Sequence, residues 1–267
     1  MSDIFEEVSQ RIGGAQINYH FNFSIKNKYL FVQNSKAGCT YLKAALSYVE
    51  LNDPLYFSNN YTYTSQKNIL NDTIYPTPHH LVNKSVFVKS YQLGKENFNS
   101  IITDSSFFKF CIVRNPFSRI LSAYLDTIKK ERAPILSLVK YFEEVLNKQR
   151  SLIKVSEISF FDFLRSLEKQ VSKEGWGSVN QHYRLQTFHL SDDLIHYDKI
   201  YKLEDFDSAL IDISSKLNTK IPKVQQKGHK TDAEEKLAIF FEDKNTIDIV
   251  KNLFKSDLDR FKYDVPL

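Results

Sequence analysis

The chain has 267 residues, 42% of them hydrophobic and 25% charged, with a formal net charge of +4 from 36 basic and 32 acidic side chains. At this length roughly 70–75% of the unfolded surface can be buried, so folding needs neither disulfides nor a structural metal. The composition excludes disordered and collagen-like chains, and the small positive excess does not make the basic face that a nucleic-acid binder needs. Two cysteines, Cys39 and Cys111, are too few for a disulfide scaffold or a four-thiolate zinc site, and fit a reducing compartment.

The opening MSDIFEEVSQRIGG carries early acids and no apolar run of signal-peptide length, and no stretch approaches 18 apolar residues. The expectation is a cytoplasmic protein without a transmembrane segment. Lys28–Gln33 (KYLFVQ) reads as a short buried strand, followed by the polar small-residue turn Asn34–Thr40 (NSKAGCT) and then helical spacing through Leu42, Ala45, Leu46 and Val49. Residues 52–75, rich in Tyr and Asn, read as an irregular loop or partner surface.

The same grammar recurs at Phe107–Val113 (FFKFCIV). That run stops at Arg114-Asn115-Pro116 before the helical spacing of Ile120, Leu121, Tyr124, Leu125 and Ile128. Pro116 suits the first turn of a helix, where a missing N–H costs nothing. Pro134–Arg150 and Ser159–Leu167 read as helices of an insert. Ile200–Leu203 is a third strand candidate, preceding a helix from about Glu204 to Leu217. Near the C-terminus, Thr231-Asp-Ala-Glu234 has a capping-box pattern. Strands alternating with helices predict an α/β fold: a P-loop-type parallel sheet flanked by helices, with helical insertions, as one domain over 1–267.

A strand, a small-residue loop and a helix form an anion seat, because loop N–H groups and the helix N-terminus converge on one point. Here Lys36 adds a full charge, Gly38 allows close approach and Thr40 offers a hydroxyl. This is not a Walker A loop, whose lysine follows the last glycine. The plain alternative is an exposed loop lysine beside a turn glycine.

FVQNSKAGCTYLKAAL resembles the 5′-phosphosulfate loop of sulfotransferases, a strand followed by P-K-x-G-[TC]-[TS], with Ser35 in place of the proline. CIVRNPFSRILSAYLD resembles the family's 3′-phosphate motif, in which an Arg ends a strand and a Ser lies eight residues on, as Arg114 and Ser122 do. NQHYRLQ, YDKIYKLEDF and FKSDLDRFKYD resemble segments of the carbohydrate sulfotransferases of the chondroitin 4-sulfotransferase and HNK-1 type and their bacterial relatives. There they run approximately H-W-R-x-Q, Y-D-x-x-x-K-x-E and D-F-x-x-F-G-Y.

The resemblance implies a donor, 3′-phosphoadenosine 5′-phosphosulfate, and transfer of its sulfuryl group to a hydroxyl of a glycan or glycoconjugate without a metal ion. Lys36 would contact the bridging and 5′-phosphate oxygens. The amides of Ala37, Gly38, Cys39 and Thr40 and the Thr40 hydroxyl would cradle the 5′-phosphate. Arg114 and Ser122 would hold the 3′-phosphate, and Lys230 would belong to a loop over the nucleotide. The general base stays open among His182, in the HYRLQ segment, and His80 or His79, between the two donor motifs. Arg184 has two readings, a ligand for an acidic sugar or a salt bridge to an acid between 192 and 205. Arg119 reads as structural. A P-loop kinase of unusual motif and a non-catalytic nucleotide-binding scaffold are the alternatives. The compartment suits a bacterial enzyme of polysaccharide biosynthesis.

Overall fold

The structure, a computed structural model, describes residues 3–51, 85–128, 137–221 and 232–265. The chain divides into two compact units. One contains residues 1–113 and 190–228, the other residues 114–189 and 229–267.

The first unit is built on a four-stranded sheet in the order β1-β2-β3-β4, with β1 at Phe21–Ser24, β2 at Tyr29–Val32, β3 at Phe108–Val113 and β4 at Lys199–Lys202. β2, β3 and β4 are parallel, as the sequence leads one to expect, while β1 runs antiparallel to β2 and makes the sheet mixed. Every residue of β2 is buried, and β3 is buried from Lys109 onward. Strands covered on both faces read as near-continuous apolar runs, which is why these two are legible in sequence.

β1 is four residues long and carries Asn22 in its middle. That buried amide is satisfied: its Nδ2 donates to the carbonyls of His20 (2.8 Å) and Phe31 (3.2 Å), and its Oδ1 accepts from Lys89 Nζ (2.6 Å). Helices flank the sheet. α3 (Cys39–Leu51) and α9 (Phe206–Lys216) contribute Leu42, Leu46, Leu210 and Ile213 to a core with Tyr29, Phe31, Phe110 and Ile112. Beside β1, Phe98 of α4 (Ser90–Thr103) packs on Phe21, Phe23 and Phe5 at ring separations of 5.3–5.6 Å.

The second unit is helical around α5 (Pro116–Thr127), nearly all of which is buried. Its core joins Phe117, Leu121 and Tyr124 to Phe160 and Phe163 of α7 (Phe160–Glu174), Tyr183, Phe241, Val250 and Phe254. Trp176 packs against Phe254. The observed helix Val139–Leu146 (α6) falls within the first insert segment expected from sequence, while α7 begins in the second, Ser159–Leu167, and continues beyond it to Glu174. α10 spans Ala233–Phe240, and the residue at its N-cap is Asp232, in the left-handed conformation and without a side-chain cap bond. Glu234, read from sequence as the far half of a capping box, instead pairs with Arg114; Thr231 lies outside the described residues, as does the 52–75 segment. No helix among the described residues is long and apolar enough to cross a membrane.

The last helix, α12 (Lys255–Phe261), ends with Lys262 in the left-handed region at φ 52°, ψ 59°. The Tyr263 N–H reaches back to the Leu258 carbonyl at 3.1 Å, the six-to-one bond of a Schellman turn. Lys262 stands where the resembling motif D-F-x-x-F-G-Y has glycine, and a side chain at that φ costs about 1 kcal/mol. Lys262→Gly is expected to stabilise the protein by about 0.5–1 kcal/mol and raise the thermal midpoint by roughly 2–4 °C. An unchanged or lower midpoint in thermal denaturation would show that the strain is absorbed elsewhere.

Candidate functional site

The candidate residues gather at two strand-to-helix junctions, one in each unit. In the first unit β2 ends at Val32 and the chain turns through residues 35–38 into α3. The turn is pinned at its base: the Asn34 side chain donates to the Ile112 carbonyl of β3 at 3.1 Å, and the Ala37 N–H donates to the Asn34 carbonyl at 3.3 Å. Lys36 and Gly38 are both left-handed, at φ 67° and 71°, with Ala37 between them outside that region. Alternation of this kind turns successive N–H groups toward one side, the concavity that binds anions.

Gly38 has two reasons to be glycine. Its φ is positive, and a Cβ there would lie 2.7 Å from Leu203 Cδ1, so the loop packs flush against the residue following β4. Lys36 holds a strained φ without that freedom, which is expected where local backbone strain serves a site. Lys36 and Thr40 are half-buried, while Ala37 and Cys39 are buried. Burial pushes the Cys39 thiol up, against the pull of Lys43 and Lys36. It is therefore a packed thiol and a poor nucleophile. Lys36, the turn amides and the N-terminus of α3 together suit a phosphate-like anion.

In the second unit Arg114 follows directly on β3 and precedes α5. Asn115 caps that helix by accepting from the Phe117 N–H at 3.0 Å, and Pro116 occupies its first position. The Arg114 backbone is held by an amide rather than a strand: its N–H donates to Gln186 Oε1 at 3.0 Å and its carbonyl accepts from Gln186 Nε2 at 2.9 Å. Its guanidinium, with the residue only 6% exposed, donates from Nε to Ser118 Oγ at 3.1 Å and pairs through Nη2 with Glu234. Ser118 and Ser122, both buried and four apart, share one face of α5, and Ser118 is the one that accepts from Arg114. A planar cation with a hydroxyl beside it, already holding a carboxylate, has the donor geometry that suits a phosphate.

The segment leading to Gln186 is braced from several directions. Arg119 is 1% exposed and donates to the carbonyls of Arg184 (2.8 Å) and Gln181 (3.1 Å), a structural role. Arg184 donates from Nε to the Val179 carbonyl (2.9 Å) and from Nη2 to that of Gly177 (3.1 Å), and burial lowers its pKa. Asp257, fully buried, accepts from the N–H groups of Gln186 and Thr187, each at 2.8 Å, and so caps the short helix Gln186–Leu190 (α8).

His182 is half-buried. Its backbone N–H (3.1 Å) and ring Nδ1 (2.7 Å) both face Asn180 Oδ1. An acceptor at Nδ1 puts the proton of the neutral ring there and the lone pair on Nε2, the form a general base needs. His79, His80 and Lys230 lie outside the described residues.

Sequence reading passes over five residues that the structure brings to these junctions. Ser118 is signalled only by its spacing of four from Arg114. Gln186 belongs to the quoted HYRLQ segment, but nothing there announces a backbone clamp. Asp257 comes from far along the chain with no local signal, and the local signal of Glu234 is only that of a helix start. Lys43 sits one turn into α3, 6% exposed, with Nζ 5.3 Å from the Tyr19 ring centre. Burial takes its pKa down to about 8, opposed by Cys39. It also depresses the pKa of Lys89, which is 2% exposed.

A lysine depressed on folding contributes stability that is present above its unfolded pKa and lost as pH falls through its folded value. The Lys43 term therefore strengthens as pH rises from about 8 toward 10.5. In thermal denaturation across that window, wild type minus Lys43→Met should gain stability with pH. A flat difference would contradict the burial of a charged Lys43.

A family model described as the sulfotransferase family matches residues 19–264, running through both strand-to-helix junctions and both units. No curated protein and no solved structure matches the chain significantly. The match covers well over half of the sequence, and the chain belongs to the sulfotransferase family.

Proposed function

We propose that this sulfotransferase takes its sulfuryl group from 3′-phosphoadenosine 5′-phosphosulfate and delivers it to a hydroxyl of a glycan or glycoconjugate. The observation that carries the donor assignment is the Arg114 guanidinium, held beside Ser118 and already engaged with an oxygen anion. A second anion seat at Lys36–Thr40 supplies what a 5′-phosphate needs. The resemblance of HYRLQ and the terminal DLDRFKY to carbohydrate enzymes supports the acceptor class, and the continuous match from 19 to 264 supports one functional domain.

In-line sulfuryl transfer asks for alignment and for stabilisation of charge growing on the leaving phosphate oxygen. In this reading the Lys36 ammonium meets that oxygen, while the amides of Gly38, Cys39 and Thr40 and the Thr40 hydroxyl hold the 5′-phosphate; the Ala37 amide, expected from the resemblance to join them, donates instead to the Asn34 carbonyl. Arg114, with Ser122, holds the 3′-phosphate, and Lys230 closes on the nucleotide. The transferred group carries less charge than a phosphoryl group, so amine and backbone donors suffice without a metal. His182, with its lone pair on Nε2, is the base we favour for the acceptor hydroxyl; His80 is the second candidate. His79 and Arg184 are the proposed acceptor contacts.

The test is calorimetric titration with adenosine 3′,5′-bisphosphate, AMP and ATP. The bisphosphate should bind at least about tenfold more tightly than AMP, and Arg114→Ala should remove that preference, since a lost charge-assisted pair is worth about 1.5–3 kcal/mol. Lys36→Ala should depress transfer far more than it depresses bisphosphate affinity. A bisphosphate that binds no better than AMP, or a preference for ATP with Mg²⁺, would overturn the donor assignment.

A further inference from the structure

Glu234 occupies an unusual place. It lies in the first turn of α10, and that helix is fixed against α5 by buried Ala233 and by the rings of Phe240 on Tyr124 (5.9 Å) and Phe241 on Phe117 (5.0 Å). The backbone beneath Glu234 is therefore anchored, while its side chain is 59% exposed. Its partner is the opposite: the Arg114 side chain is 8% exposed, with its backbone clamped by Gln186 and its Nε committed to Ser118. One half of the pair is immobile and desolvated, and the other is an arm that solvent can take back.

We propose that Glu234 is a resident stand-in for the 3′-phosphate, a carboxylate that holds the anion seat of Arg114 in the empty enzyme and must be displaced when the nucleotide binds. The inference rests on the reading of Arg114 as the 3′-phosphate ligand. A carboxylate presents two acceptor oxygens and one charge, whereas a phosphate monoester presents three and close to two charges, so the phosphate wins the exchange. Glu234 can be released because the phosphate takes over the pairing of the buried guanidinium while the exposed carboxylate regains its hydration. The released carboxylate stays tethered one side chain away from a dianion and opposes it. Glu234 thus keeps the buried guanidinium paired between turnovers. It lowers affinity for any ligand that places an anion on Arg114 and leaves ligands without a 3′-phosphate untouched, so it sets how tightly donor and spent nucleotide are held.

The experiment is calorimetric titration of adenosine 3′,5′-bisphosphate and of AMP into wild type, Glu234→Gln, Arg114→Ala and the double variant, with Glu235→Gln as a control for loss of the same charge one residue along. Glu234→Gln should tighten bisphosphate binding by about three- to tenfold and leave AMP unchanged. Glu235→Gln should not reproduce the gain, and the gain should vanish in the Arg114→Ala background. If Glu234→Gln has no effect, weakens bisphosphate binding, tightens AMP equally, or is matched by Glu235→Gln, the inference is wrong while the donor reading stands. If wild type shows no preference for the bisphosphate and Arg114→Ala changes nothing, the donor reading fails and the inference falls with it. Thermal midpoints of all variants establish that each is folded, which the exposure of Glu234 and Glu235 leads one to expect.

Discussion

The cyclic pair of hydrogen bonds between the Gln186 side chain and the Arg114 backbone is the constraint on which the second junction depends. A strand that ends leaves N–H and C=O groups to be satisfied, and at a buried position each orphan costs about 1–3 kcal/mol. Gln186 meets both groups with one planar amide, doing at Arg114 what a neighbouring strand would do. Gln186 is itself fixed, because Asp257 accepts its N–H and that of Thr187 and the preceding segment is held by Arg119. With the backbone settled in this way, the Arg114 guanidinium has little freedom except to face Ser118 and an anion.

The first junction reaches a similar end by different means. There the backbone itself is the proposed ligand set, and it is shaped by two left-handed residues and by the absence of a side chain at Gly38. Asn34 plays the bracing role by reaching across to the Ile112 carbonyl of the adjacent strand. Both junctions thus use a buried side-chain amide to fix the backbone of a candidate anion seat. The positive charges around α3 are placed at an energetic disadvantage: Lys43 and Lys89 are buried near one another, and each is held toward its neutral form.

Most of the sheet was legible because burial on both faces writes itself as apolar runs, as in YLFV of β2 and FKFCIV of β3. The antiparallel β1 was not, since FNFS is short and its central asparagine finds partners only once Lys89, His20 and Phe31 are assembled around it. The loop Lys36–Thr40 and the Arg114–Ser122 spacing stand out as candidates because their signal is local: consecutive residues at one strand end, or an arginine at a strand end with a serine eight residues on. Arg184 shows the limit of such reading. Beside a motif histidine it offers itself as a ligand or a salt bridge, and no local signal shows that its Nε and Nη2 turn to two carbonyls of its own segment. Gln186, Asp257 and Glu234 act only across sequence separations of 70 residues or more, so no window of sequence contains their meaning.

The measurement that tests this account most directly is the effect of Gln186→Met on stability and on nucleotide preference, taken together. Methionine keeps the volume and removes both hydrogen bonds, leaving the buried Arg114 N–H and carbonyl without partners. The account predicts a loss of about 2–4 kcal/mol in chemical denaturation. It also predicts that the folded variant loses its preference for adenosine 3′,5′-bisphosphate over AMP. A variant that is destabilised but keeps the full preference would contradict the claim that the Gln186 clamp presents Arg114 to its anion.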